Sequence, residues 1–143
     1  NTYVNDEGKT IIPNRAYGHI ISNNQLIVKD QYWCSATIGD GGLYSNIIDL
    51  NRWIDYLLND VFDKLKSTMF LPNVFDEKTQ SYYGLGIRII NVNGCDIYYH
   101  CGDTIGTNTF ILFSKDLNLR CIFLTNMGNI DTENLKENII HLI

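Results

Sequence analysis

Between Tyr82 and Thr125 four β-prone runs follow one another with only short turns between them, and this stretch leaves the chain its fewest options. Tyr82 to Asn91 is strand-like, Asn93-Gly94 is a two-residue hairpin signal, and Cys95 to His100 answers it. Thr107 to Phe113 and Leu119 to Thr125 are two further β-rich runs, with Ser114 to Asn118 as the turn between them. The order predicts a four-stranded antiparallel meander. Gly86-Ile87-Arg88-Ile89-Ile90 and Cys121-Ile122-Phe123-Leu124 are apolar almost throughout, a pattern that suits strands covered on both faces. The helices readable from this chain are expected to cover only one face, so part of the fold is expected to lie outside these residues.

Ahead of the meander the chain is extended and loop-rich. Arg15 to Ile21 and Gln25 to Val28 flank Ser22-Asn23-Asn24 and predict a hairpin. Gly39-Asp40-Gly41-Gly42 reads as a flexible turn. A helix follows, capped by Ser45 or Asn46, with Ile47, Leu50, Trp53, Ile54, Leu57 and Leu58 at helical spacing. A shorter helix is expected between Asp60 and Pro72, which cannot continue it. A last helix starts near Asp131 or Thr132, with Leu135, Ile139, Leu142 and Ile143 on one face. The fold class is therefore α+β, an antiparallel sheet of about four strands flanked by helices. No repeat, low-complexity tract or Pro/Gly/Ser linker divides the chain, so residues 1–143 read as one unit.

Composition removes several function classes. With 143 residues, 45% hydrophobic and 19% charged, the chain is large enough and apolar enough for a real core and is not a disordered tail. Eleven Lys plus Arg against 16 Asp plus Glu, a net charge of -5, argue against a nucleic-acid partner. No apolar run approaches the ~20 residues of a membrane span, so no membrane segment is expected in this piece. Its first residue is Asn1, which reads as the start of an excised piece. Cys34, Cys95, Cys101 and Cys121 are too few and too scattered for a disulfide framework, and free thiols lean towards a cytoplasmic, reducing compartment.

The search for chemistry starts with nucleophiles. None of Ser22, Ser35, Ser45, Ser67, Ser81 and Ser114 has a lysine three positions on, and no G-x-S-x-G elbow occurs. His100 and Cys101 are adjacent, but neighbours on a strand point to opposite faces and do not form a dyad. His19, His100 and His141 lie far apart with no H-x-x-x-H spacing, so no metal is expected, and no cofactor. Asp40, Asp49 and Asp103 read as turn and cap residues. His100-Cys101-Gly102 holds the most chemical promise, since a titratable group at a strand end, followed by Gly, leaves room for a ligand along the strand edge.

Five segments in order carry a resemblance. They are Arg15-Ala16-Tyr17-Gly18; Gly39-Asp40-Gly41-Gly42-Leu43-Tyr44-Ser45 with Asp49-Leu50 and Trp53; Tyr83-Gly84-Leu85-Gly86; His100-Cys101-Gly102 with Gly106; and Phe123-Leu124-Thr125-Asn126. Together the chain resembles the C-terminal part of the serine β-lactamase and penicillin-binding-protein family, in the class C-like branch that also holds D-aminopeptidases and esterases. The resemblance implies an incomplete β-lactamase/transpeptidase-like fold lacking its N-terminal part. It also implies an acyl-transfer hydrolase, in which an S-x-x-K serine attacks an amide, ester or lactam carbonyl. By that analogy His100 lines the site near nucleophile or substrate, Gly102 keeps the strand accessible, and the backbone N–H of Asp103 is an oxyanion donor.

The implied partners are the missing N-terminal part of the same protein and a peptide-like, ester or β-lactam substrate. The S-x-x-K pair is absent here. Tyr44-Ser45-Asn46 imitates the family's Y-x-N motif, but its Gly-Gly-Leu context before a D-L helix belongs to a later segment. A carboxylate at Asp103 is expected to repel anionic substrates of the penicillin type. The fragment alone is expected to be inactive and, with apolar sheet surface bare, to self-associate. Two rivals stand beside this reading. One is a binding or scaffold domain that keeps the fold without the nucleophile. The other is an unrelated α+β module using a thiol at Cys101.

Overall fold

A computed structural model describes residues 1–4, 10–31, 39, 41–59 and 61–143. The turn residue Asp40, and Cys34 and Ser35, lie outside the described residues. Short strands β1 (Tyr3–Val4) and β4 (Leu43–Tyr44) pair with each other, and β2 (His19–Ser22) and β3 (Gln25–Val28) form the hairpin expected around Asn23 and Asn24. Both Asn residues take positive φ, 50° and 59°, the left-handed geometry of a two-residue turn that Asn tolerates. Helices α1 (Ile47–Asn59) and α2 (Phe62–Lys66) follow.

The main sheet has six strands, two more than the sequence reading supplied. It runs β5 (Val74–Asp76), β6 (Ser81–Tyr83), β7 (Arg88–Val92), β8 (Cys95–Thr104), β9 (Thr107–Ser114) and β10 (Leu119–Thr125), each antiparallel to the next in chain order. The run from Tyr82 to Asn91 is not one strand. It divides at Gly84-Leu85-Gly86-Ile87, where Gly84 N–H donates to the Ile87 carbonyl at 2.8 Å and Leu85 N–H to the Met69 carbonyl at 3.0 Å. A side chain at Gly84 would run into that Met69 carbonyl, so the turn is packed hard against the chain leaving α2. The hairpin at Asn93-Gly94 is formed as expected.

Helices cover both faces of the sheet, which corrects the expectation of one-sided cover. Ile54, Leu57 and Leu58 of α1 and Phe62 of α2 pack with Ile87, Ile89, Tyr98 and Phe113 on one face. Phe62, Phe70, Tyr98 and Phe113 form an aromatic cluster there, with ring centroids 4.6 to 6.3 Å apart. On the other face Leu135, Ile139 and Ile140 of the last helix, with Ile143 just beyond it, pack on Ile97, Tyr99, Phe110 and Leu112. That helix, α3 (Thr132–His141), is capped by Asp131, whose carboxylate accepts from Asn134 N–H at 3.0 Å. Leu142, expected on its apolar face, is exposed, and Ile140 takes the place. In α1 the expected stripe is buried only in its second half, with Ile47 and Trp53 open to solvent.

Lys136 of α3 is buried against the sheet. Its ammonium pairs with Glu133 and sits 4.3 Å from the centre of the Tyr99 ring. Burial works against the charge, but the Glu133 hydrogen bond and the neighbouring Tyr99 and Cys101 outweigh it and hold the amine above its ordinary value.

Three backbone stretches meet at one point. His19 N–H is shared by the carbonyls of Gly106 (3.0 Å) and Asn126 (2.9 Å), and Gly128 N–H donates to the His19 carbonyl at 2.7 Å. This joins the β2–β3 hairpin to the β8–β9 turn and to the end of β10, where His19 bridges Met127.

Candidate active site

The registers of β8 create an open edge. β8 pairs with β9 as far as Thr104, but with β7 only as far as Tyr99, opposite Arg88. From His100 to Thr104 the β7-facing edge therefore has no strand partner among the described residues. His100-Cys101-Gly102 lies inside the strand and not at its end, which revises the expected boundary. The two-residue turns on either side fix which amides face where. Ladder hydrogen bonds alternate along a strand, so Cys95, Ile97 and Tyr99 direct their backbone groups to β7, and Cys101 and Asp103 direct theirs to the open edge.

A cleft of about 1380 Å³ lies along this edge. His100, Cys101, Gly102, Asp103 and Thr104 of β8 form one wall. Leu43, Tyr44, Asn46 and Ile47, with Arg15 and Asn126, line other parts of it.

His100 is half-buried and follows Tyr98 by two, so its side chain leaves the α1/α2 face of the sheet. Its Nε2 is 3.1 Å from the Tyr83 hydroxyl. Burial first, then the Arg88 guanidinium, hold the imidazole below its ordinary value, against a bond to the Cys101 backbone that acts the other way. Arg88 is fixed by Asp76 (2.8 Å), Thr79 (2.8 Å) and Ser81 (3.3 Å), and its guanidinium stands 5.1 Å from the Tyr83 ring centre. Its hydrogen bond in turn holds Asp76 below the usual carboxylate range.

A side chain at Gly102 would meet the Thr109 hydroxyl at 2.5 Å, so the room there is bounded by β9. The Asp103 carboxylate accepts from Asn108 Nδ2 at 3.0 Å, and Asn108 also accepts from Ile130 N–H at 3.2 Å. By alternation this carboxylate lies on the opposite face of β8 from His100 and Gly102. The carboxylate is thus tied to β9 through Asn108.

Tyr44, Ser45 and Asn46 are given over to structure. The Tyr44 hydroxyl donates to Gln31 Oε1 at 3.3 Å, and its ring lies 4.7 Å from Arg15, which pairs with Asp30. Ser45 meets the Thr2 hydroxyl at 2.9 Å, and Asn46 caps α1 by accepting from Asp49 N–H at 3.0 Å. Asp49 sits in the first turn of α1. Of the other serines, Ser114 donates to the Asp96 carbonyl at 2.7 Å, and Ser81 bonds Thr79 at 2.8 Å. His19 is engaged at the glycine junction, and His141 closes α3. Among the described residues no three His, Cys, Asp or Glu groups gather where a metal could sit, and no helix is long and apolar enough to cross a membrane.

Cys101 packs among the α3-side cluster, on the face opposite His100. Burial, and then the Glu133 charge, push its thiol up to about 11, so it is protonated near neutrality. Iodoacetamide is expected to label it slowly, at a rate that His100→Ala leaves unchanged. Rapid labelling that depends on His100 would restore the thiol reading.

The sequence reading missed Tyr83 and Arg88 as members of this site. Tyr83 was visible only as the first residue of Tyr83-Gly84-Leu85-Gly86, and the tight turn those glycines make is the signal that could have found it. A family model described as Beta-lactamase matches residues 2–141. No curated protein matches the chain.

Proposed function

The chain belongs to the beta-lactamase family, and from that premise we propose that it is the C-terminal portion of a serine hydrolase or acyltransferase of the class C-like branch. The parent protein acts on an amide, ester or lactam carbonyl. Its nucleophile is an S-x-x-K serine contributed by sequence before Asn1, and this chain contributes one wall of the site. His100 orders the reacting groups along that wall. The Asp103 N–H donates to the oxyanion as negative charge develops on the carbonyl oxygen, where a fixed donor stabilises the tetrahedral intermediate more than the planar ground state. Gly102 leaves the edge between them approachable.

The observation that supports this reading best is the open edge of β8, which begins at His100 and turns the Asp103 amide towards the cleft. A site of this kind needs no metal or organic cofactor. Exposed Leu26, Val28, Ile47 and Ile48 fit docking of the rest of the protein, and self-association of this chain when that part is missing.

Incubating the native-length protein with a chromogenic cephalosporin and with a p-nitrophenyl ester, followed by intact-mass measurement, tests the proposal. The expected result is an acyl adduct on a serine upstream of Asn1, and none on residues 1–143 alone. Absence of any adduct on the native-length protein would favour the alternative of a catalytically inactive binding or scaffold domain.

A further inference from the structure

We propose that Tyr83 is a positioning residue whose phenol O–H donates to Nε2 of His100 and holds that ring, with its proton on Nδ1, against the open edge of β8. The inference rests on the reading of His100 as a wall of an acyl-transfer site, and it deepens that reading by saying what keeps the wall in place.

The geometry is specific. The Tyr83 oxygen and His100 Nε2 are 3.1 Å apart, although the residues are 17 positions apart and on strands separated by β7. They meet because β7 stops at Arg88. Beyond that point nothing from β7 stands between Tyr83 and the exposed length of β8. The tight turn after Tyr83, pinned to the Met69 carbonyl, sets where β6 ends. Tyr83 itself is braced from the side by Arg88, and Arg88 by Asp76. Tyrosine has few rotors, so a ring braced in this way delivers its hydroxyl with little loss of freedom.

A neutral ring has one N–H, and a phenol is a much stronger acid than a neutral imidazole, so the favoured pairing has the Tyr83 O–H donating and Nε2 accepting, which places the ring proton on Nδ1. The only hydroxyl given to Nε2 among the described contacts is that of Tyr83. The groups that face His100 are then the Tyr83 hydroxyl from β6, the Arg88 guanidinium from β7 and the Cys101 backbone of β8 itself. Tied at Nε2 to a braced phenol, His100 is held as a fixed dipole and is not left to rotate in the cleft. Tyr83 does not touch the cleft and acts through His100.

The test uses the native-length protein labelled with ¹⁵N-histidine, as wild type and as Tyr83→Phe, which removes one oxygen and leaves the ring packing. Two-bond ¹H–¹⁵N correlation spectra read the tautomer directly. The expected wild-type result is the Nδ1–H form of His100. In Tyr83→Phe that form should give way to a mixture, the His100 titration midpoint should rise, and acylation should slow about fivefold, as for one lost neutral hydrogen bond. A wild-type Nε2–H tautomer, or an unchanged tautomer and midpoint in the variant, would overturn the proposal, and the wild-type measurement stands even if the variant folds poorly. A changed tautomer with no acylation in either protein would support the positioning of His100 and overturn the acyl-transfer reading instead.

Discussion

Gly106→Ala is expected to cost more than about 4 kcal/mol, a large share of the stability of a domain this size. Gly106 has φ +72°, where an alanine costs roughly 1–2 kcal/mol through its Cβ alone. The larger part is steric. An added Cβ would overlap the Lys29 carbonyl oxygen and lie 2.8 Å from both the Gly18 carbonyl carbon and the His19 nitrogen. All three are backbone atoms, and the hydrogen bonds through His19 and Gly128 keep them from moving aside. Gly94→Ala is the control. Its φ is +87°, but no atom lies within 4 Å of the added carbon, so only the conformational cost of about 1 kcal/mol is expected. Urea denaturation followed by circular dichroism measures both. A Gly106→Ala protein as stable as Gly94→Ala would mean that the three stretches do not meet as described.

His100→Ala is expected to slow acylation of the native-length protein about a hundredfold, the scale for losing one fixed polar group from a site that stabilises developing charge. The loss should fall on kcat, since the ring is proposed to order the reacting groups and not to hold the substrate's remote parts. The same variant should change how stability depends on pH. His100 titrates in the native chain below its ordinary 6.5. Above pH 6.5 the imidazole is neutral in folded and unfolded chains alike. As pH falls below 6.5 the unfolded chain takes up the proton first, and the native state loses stability until pH has passed through the folded value. Removing the imidazole should flatten that decline in Tm between pH 7 and pH 5. If kcat and the Tm profile both stay at wild-type values, His100 has neither role.

What could be read from the sequence was local. Asn93-Gly94 announces its hairpin because only residues at ease with positive φ suit that turn, and Asn46 announces its helix because a short side-chain acceptor is what a first turn needs. His100 was legible as a polar group in an apolar run. The illegible parts depend on which strands stop where. β5 is three residues long and carries too little pattern to be seen. β8 runs on through Gly102 because β9 supports it, although glycine suggests an end. The Tyr83–His100 contact exists only because β7 ends at Arg88, and no spacing rule connects positions 83 and 100. Lys136 looks like a surface residue of an amphipathic helix, and only Glu133 and the Tyr99 ring make its burial tolerable.

The junction of Gly18, Gly106 and Gly128 also sets an order of assembly. Every pairing in the six-stranded sheet joins strands adjacent in sequence, so the meander closes only short loops and each hairpin can form beside the last. The β2–β3 hairpin is different. It reaches the sheet where His19 meets Met127, across a loop that includes α1, α2 and the whole meander. Its landing place is made of the β8–β9 turn and the chain leaving β10, and it does not exist until those are in position. Of the elements described, the β2–β3 hairpin is therefore the last to find its place, and the chain must carry its apolar strands unprotected until the final turn of the sheet is made.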